Sequence, residues 1–179
     1  MKLEKGFLMS IENNIFIKDS CILFDLLDLV LLEAFFLLEF DVSTTPYVIS
    51  EITNEKQLSD VTHYILLKKL VIDSEGTFES IQELYLENPG LSYADCSVLE
   101  LAKRKDGVIL SADKSLRKIA TKSEIKVKGM LWIIRQLVEM KRISVEVAIE
   151  KLKLYPQINS RVPRKEIIEL INYLTDNLL

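Results

Sequence analysis

Short apolar runs rich in β-branched residues recur along this sequence, and a helix-period segment follows each of them. The runs are Asn14–Lys18, Phe40–Thr44, Leu70–Asp73, Val108–Ser111 and Ile125–Lys128. Strands separated by helices pair in parallel, because each connection must cross back over the sheet. The alternation therefore predicts an α/β chain. We expect a three-layer α/β/α architecture with a mostly parallel central sheet of four to five strands, followed by C-terminal helices.

The helical segments have their own punctuation. Ile22–Leu38 reads as two short helices. Thr45 and Pro46 suit the N-cap and first position of another, which would carry Glu51 in its second turn. Asp60–Leu70, Phe78–Leu86 and Ser92–Lys105 follow, the last stopped by Asp106-Gly107. Asp113 opens the next helix. Met130–Met140 carries Trp132, whose spacing with Ile133, Ile134 and Leu137 is that of a core face. Ser144–Leu154 and Pro163–Leu178 close the chain. The stretch Pro156–Pro163 is the nearest thing to a boundary. We therefore expect a main domain over residues 1–142 and a helical extension over 143–179 packed on it.

Composition narrows the chemistry. With 179 residues, 49% hydrophobic and 28% charged, the chain can bury a full core and is not a disordered or low-complexity sequence. Ile22–Phe40 is apolar enough for a bilayer, but Asp25, Asp28, Glu33 and Glu39 interrupt it, so no membrane span is expected. Lys2, Glu4, Lys5 and Glu12 leave no apolar stretch for a secretion signal. Cys21 and Cys96 read as reduced, buried thiols, and the expected location is the cytoplasm. His63 is the single histidine and reads as a helix-surface residue; two-imidazole mechanisms and His/Cys zinc clusters are excluded. A metal would have to sit on carboxylates, which favours a hard cation. The net charge of −4 argues against a protein that coats nucleic acid indiscriminately. Yet residues 103–142 hold 12 basic and 4 acidic residues, whereas residues 1–102 hold 6 and 18. Lys114, Arg117 and Lys118, on the helix that Asp113 opens, are the RNA-binding candidates in that stretch.

Four acids stand where a parallel sheet collects its ligands, at the carboxyl ends of its strands and the first turns of its helices. Asp19 ends the first strand, Asp113 follows the fourth, and Asp95 and Glu51 lie early in their helices. Clustered carboxylates are unstable until a cation neutralises them. Magnesium or manganese on such a cluster activates water and stabilises charge on a phosphodiester. Each acid has another reading. Ser92-x-x-Asp95 is a capping-box pattern, Asp19 and Asp113 suit N-caps, and Glu51 suits a solvated helix face.

The runs IFIKDSCIL from Ile15 to Leu23, VISEI from Val48 to Ile52, LSYADCSVLELA from Leu91 to Ala102 and VILSADKSL from Val108 to Leu116 resemble, in order, the four acidic motifs of the PIN domain family. Spacings of 32, 44 and 18 residues between the acids suit that family, and the likeness covers about residues 14–140. The resemblance implies a Mg²⁺- or Mn²⁺-dependent endoribonuclease similar to VapC-like toxins. It implies Asp19, Glu51, Asp95 and Asp113 as the catalytic acids, with Asp19, Asp95 and Asp113 on the metal and Ser20 and Ser111 in support. RNA, an antitoxin protein and a second copy in a homodimer are the partners it implies. Two features depart from the pattern. Lys18 stands before the first acid where an apolar or small residue is usual, and no further acid closely follows Asp113. A PIN-like module that binds RNA or protein without catalysis is the alternative. A phosphatase ranks below both, for want of a glycine-rich phosphate loop or an Asp-x-Asp pair.

Overall fold

The computed structural model describes residues 14–17 and 20–178. Five strands form one sheet: β1 (Asn14–Ile17), β2 (Asp41–Thr44), β3 (Val71–Ile72), β4 (Val108–Leu110) and β5 (Lys126–Lys128). Their order is β3-β2-β1-β4-β5, and every pairing is parallel. The three-layer expectation holds, with five strands in the sheet. The helices are α1 (Ser20–Asp28), α2 (Leu32–Phe36), α3 (Pro46–Ser50), α4 (Glu55–Leu66), α5 (Phe78–Glu87), α6 (Tyr93–Lys105), α7 (Lys114–Lys122), α8 (Met130–Glu139), α9 (Val145–Ile158) and α10 (Arg164–Leu178).

Side-chain alternation along β4 divides the core. Val108 and Leu110 face one apolar cluster, built with α1, α2, α8, α9 and α10. Ile109 faces the other, built with α3, α5, α6 and α7. All three are fully buried, as expected of a strand covered on both faces. The last two helices belong to the first cluster: Ala148, Leu152 and Leu174 are fully buried in it. Tyr155 Oη also donates to Asp25 Oδ2 at 2.6 Å, and Asn159 Nδ2 donates to the same oxygen at 3.1 Å. That buried carboxylate ties α1 to α9. Among the described residues, no helix is long and apolar enough to cross a membrane.

Polar caps start the helices. Thr45, Asn54, Thr77, Ser92, Asp113 and Ser144 each accept the N–H three residues ahead. Asn54 explains why α4 begins at Glu55, ahead of the Asp60 start expected from periodicity. The exits follow a pattern that the sequence conceals. After α1, Val30 N–H bonds Leu27 O and Leu31 N–H bonds Leu26 O, with Val30 at φ 57°. This is a Schellman ending with valine in the left-handed position that glycine usually takes. Lys68, Glu124 and Lys141 close α4, α7 and α8 in the same way.

Three expectations are corrected. Helix α3 stops at Ser50, because short bonds from Glu51 N to Val48 O and from Ile52 N to Ile49 O tighten its end; Glu51 is its C-cap, not a second-turn residue. Helix α9 passes through Pro156 to Ile158, although Pro156 has no N–H to donate within it. Helix α6 ends at Lys105 as expected, with Asp106 at φ 51° as its C-cap. Cys21 is exposed, whereas Cys96 is buried as expected.

Val30 is β-branched, left-handed and 81% exposed, so its side chain contributes strain and little packing. Val30→Gly is therefore expected to stabilise the protein by about 1 kcal/mol, measured from urea unfolding midpoints.

Candidate active site at the carboxyl edge of the sheet

The chain runs outward from β1 to β2 and β3, then returns to β4 on the other side of β1. The β1/β4 boundary is thus the point where the strand order reverses, and the crevice beyond it is where open α/β sheets bind ligands. Ile17 pairs with Leu110 at that end. The two strand ends expected to be neighbours are neighbours. Asp19 follows β1 directly and lies outside the described residues, and the side chain of Ser20 does too.

Asp113 caps α7. Its Oδ1 accepts Leu116 N–H at 2.7 Å, and its own N–H donates to Ser111 Oγ at 3.0 Å. Ser111 is fully buried at the end of β4, so it fixes the turn that aims the aspartate. Among the described residues, Asp113 Oδ2 takes no hydrogen bond and the side chain is half-buried. Asp95 is 6% exposed in the first turn of α6. Its Oδ2 accepts Ser92 N–H at 2.7 Å while Ser92 Oγ accepts Asp95 N–H at 3.1 Å, a complete capping box. Asp95 Oδ1 is buried as well. Glu51 sits exposed at the end of α3.

A buried hydroxyl chain joins α3 to α6. Val48 N–H donates to Thr45 Oγ1, which lies 2.7 Å from Ser97 Oγ. The Ser97 hydroxyl gives its one proton to Ala94 O, so Thr45 donates across the gap. The turn that carries Asp95 is thereby clamped to the end of β2. Next to Asp95, burial in the first place and the Asp95 carboxylate in the second push the Cys96 thiol up to about 11, which leaves it an inert packing group.

Part of the basic stretch is spent inside the fold. Arg104 pairs with Asp73 at 2.6 Å, Glu75 at 2.9 Å and Glu100 at 3.0 Å, and Lys105 pairs with Asp73 at 2.6 Å. Arg135 pairs with Glu139 and lies 4.3 Å over the Tyr173 ring. Arg117 donates to Ser111 O and Val127 O, bracing the ends of β4 and β5. Lys114 and Lys118 are exposed on α7, and His63 is exposed on α4. Trp132 is half-buried and stacks on Phe40, while Ile133, Ile134 and Leu137 are fully buried.

The donors at this edge are oxygens, which suit a hard divalent cation. Asp113 spends one carboxylate oxygen on its helix and has a second to offer, and Asp95 Oδ2 accepts Ser92 N–H. Among the described residues, no three of His, Cys, Asp and Glu gather as a metal-binding group; Glu51, Asp95 and Asp113 do not form one by themselves. Sequence reasoning missed the Thr45–Ser97 link and the Asp73–Arg104–Lys105 network. Both depend on long-range pairing, which no local pattern signals.

Sheet order, switch point and capped acids together define a three-layer α/β/α domain with a candidate site at its switch point. A family model described as PIN domain matches residues 15–174, and the chain belongs to the PIN domain family. No match is found among curated proteins. PIN domains are generally nucleases that bind RNA and typically use divalent metals.

Asp73 supplies a pH test of the network beside this edge. Burial raises its pKa, but the hydrogen bonds from Arg104 and Lys105 outweigh that and hold the carboxyl below its ordinary value. The unfolded chain then binds the proton more readily, at about pH 3.9. The stabilisation is complete above that pH and is lost as pH falls through the lower, folded value. Asp73→Asn should lower stability at pH 7 and make the acid limb shallower, read from urea midpoints between pH 7 and 3.

Proposed function

We propose that this PIN domain is a metal-dependent endoribonuclease, the toxin of a toxin–antitoxin pair. The observation that carries the reading is the adjacency of the β1 and β4 ends, which lead to Asp19 and Asp113, with Asp95 buried at the start of α6. Asp19, Asp95 and Asp113 would hold Mg²⁺ or Mn²⁺. When bound, the cation neutralises these carboxylates and stabilises charge on a phosphodiester under hydrolysis.

The chain's own residues orient and transfer protons. Ser111 fixes the turn that carries Asp113 while Leu116 N–H holds its rotamer, Ser92 N–H holds that of Asp95, and Ser20 would support Asp19. Glu51, on the solvent side, accepts at its carboxylate the proton of the attacking water. Lys114 and Lys118 meet RNA phosphates, while Arg117 keeps the end of β4 in place beneath them. Partners on this reading are RNA, an antitoxin protein and a second copy in a cytoplasmic homodimer. We place the division between nuclease body and helical extension at residues 142 and 143.

One observation favours a second reading. Asp95 is engaged as a capping-box residue, and a cap needs no metal. On that reading the chain is a PIN-like module that binds RNA or a protein without cutting.

Asp113→Asn separates the two, because asparagine caps helices as well as aspartate and the fold should survive. With Mg²⁺ or Mn²⁺ and total RNA, we expect cleavage to fall at least about 100-fold, and Ser111→Ala to cost about 10- to 100-fold. Cleavage by Asp113→Asn at the wild-type rate, or no cleavage by wild type with either metal, removes the nuclease assignment and leaves the binding module.

A further inference from the structure

The two edges of the sheet differ. At the β5 edge, Lys128 O accepts Ser111 N–H, so the peptide groups of Val127 face outward. Arg117 reaches over and donates to Val127 O at 3.1 Å, and Lys126 and Lys128 flank it. That edge is closed by its own side chains, as exposed strand edges commonly are. At the β3 edge, Asp73 N–H donates to Thr44 O at 2.8 Å. Peptide groups alternate along a strand, so the N–H and C=O of Ile72 face away from β2. Among the described residues, no side chain or backbone group meets them.

Apolar side chains surround this open position. Leu66 is 76% exposed, Leu67 54%, Val71 51% and Ile72 37%, all within one turn of chain between α4 and β3. Such a patch on a protein surface marks a contact site. The open ladder is one residue long. Leu70 N–H is spent on Tyr64 O, and beyond β3 the chain bends as Glu75 N–H bonds Asp73 Oδ1. A long added strand would find no further partners. A two-fold axis through Ile72 needs only that residue, because two antiparallel residues directly opposite each other exchange both hydrogen bonds.

The charges suit the same symmetry. Lys68 and Lys69 enter β3 exposed, and among the described residues neither is in an ion pair. At the other end Asp73, Glu75 and Glu100 share Arg104 and Lys105, three carboxylates to two cations. An antiparallel pair sets the basic end of each copy beside the acidic end of the other.

We propose that β3 pairs with β3 of a second copy about a two-fold axis at Ile72, joining the two sheets edge to edge. This rests on the homodimer named above and gives it a surface.

Sedimentation equilibrium of the full chain, over about 1 to 100 µM, tests it. Wild type should self-associate. Ile72→Pro removes only the outward N–H, a change that edge strands tolerate, and should weaken the dimer at least about tenfold. Val71→Lys, at an exposed position, should do the same without touching the backbone. Lys68→Glu/Lys69→Glu sets acid against acid and should also cost about tenfold. Urea midpoints show that each variant is folded. A dimer indifferent to Ile72→Pro and Val71→Lys overturns the edge pairing and keeps the homodimer. A monomeric wild type overturns both and leaves the edge to a strand of another protein. Neither outcome touches cleavage, which Asp113→Asn tests separately.

Discussion

The pairing of β1 between β2 and β4 is the constraint from which the candidate site follows. A central parallel strand sends its chain out at the same edge as its neighbours. The Ile17–Leu110 register makes two of those exits adjacent. Each connection must then turn into a helix whose first N–H groups face that edge and need acceptors. Polar side chains collect there because the backbone requires them, before any ligand is considered.

On the proposed nuclease reading the same side chains serve twice. Asp113 satisfies Leu116 N–H, Asp95 satisfies Ser92 N–H, and Thr45 satisfies Val48 N–H while reaching Ser97. A cap contributes about 1 kcal/mol, enough to hold a rotamer and far less than catalysis demands. Capping thus pre-orients the Asp113 carboxylate through Oδ1, and the proposed chemistry would use Oδ2. A substitution that keeps the cap while removing the charge separates the two uses, which is why asparagine is more informative than alanine at these positions.

Legibility followed the range of the interaction. Thr45, Ser92, Asp113 and Ser144 act within four residues, and each was readable as a cap. Strand β4 was readable because two-sided burial leaves an apolar run, Val108–Leu110. The helix exits were not: Val30, Lys68, Glu124 and Lys141 adopt left-handed backbone without the glycine that would announce it. The charge asymmetry was visible as a sum, but a sum says nothing of pairing. Arg104 and Lys105 count toward a basic stretch yet are turned onto Asp73, some thirty residues earlier. Cys21 was misread as buried because its helix is strongly apolar, and only the fold shows which side of that helix meets solvent. For the site, the two acids that double as caps were locatable from sequence. Glu51 was displaced by one short helix end, and Asp19 stands outside the described residues.

The two faces of the sheet carry different burdens. One holds the larger described apolar cluster, with α1, α2, α8 and both terminal helices fastened through Asp25 and Tyr155. The other holds the smaller cluster, and its α3, α5, α6 and α7 present the caps and exposed aromatic rings. Stability drawn mainly from the thicker face lets the thinner one keep exposed rings and half-buried acids that contribute little to folding. Phe78 illustrates the division: its exposed ring contributes little to the core beneath it, whereas Leu152 on the opposite face is fully enclosed. A surface can hold such residues only where the fold does not need them buried, and here that surface lies at the edge where the strand order reverses.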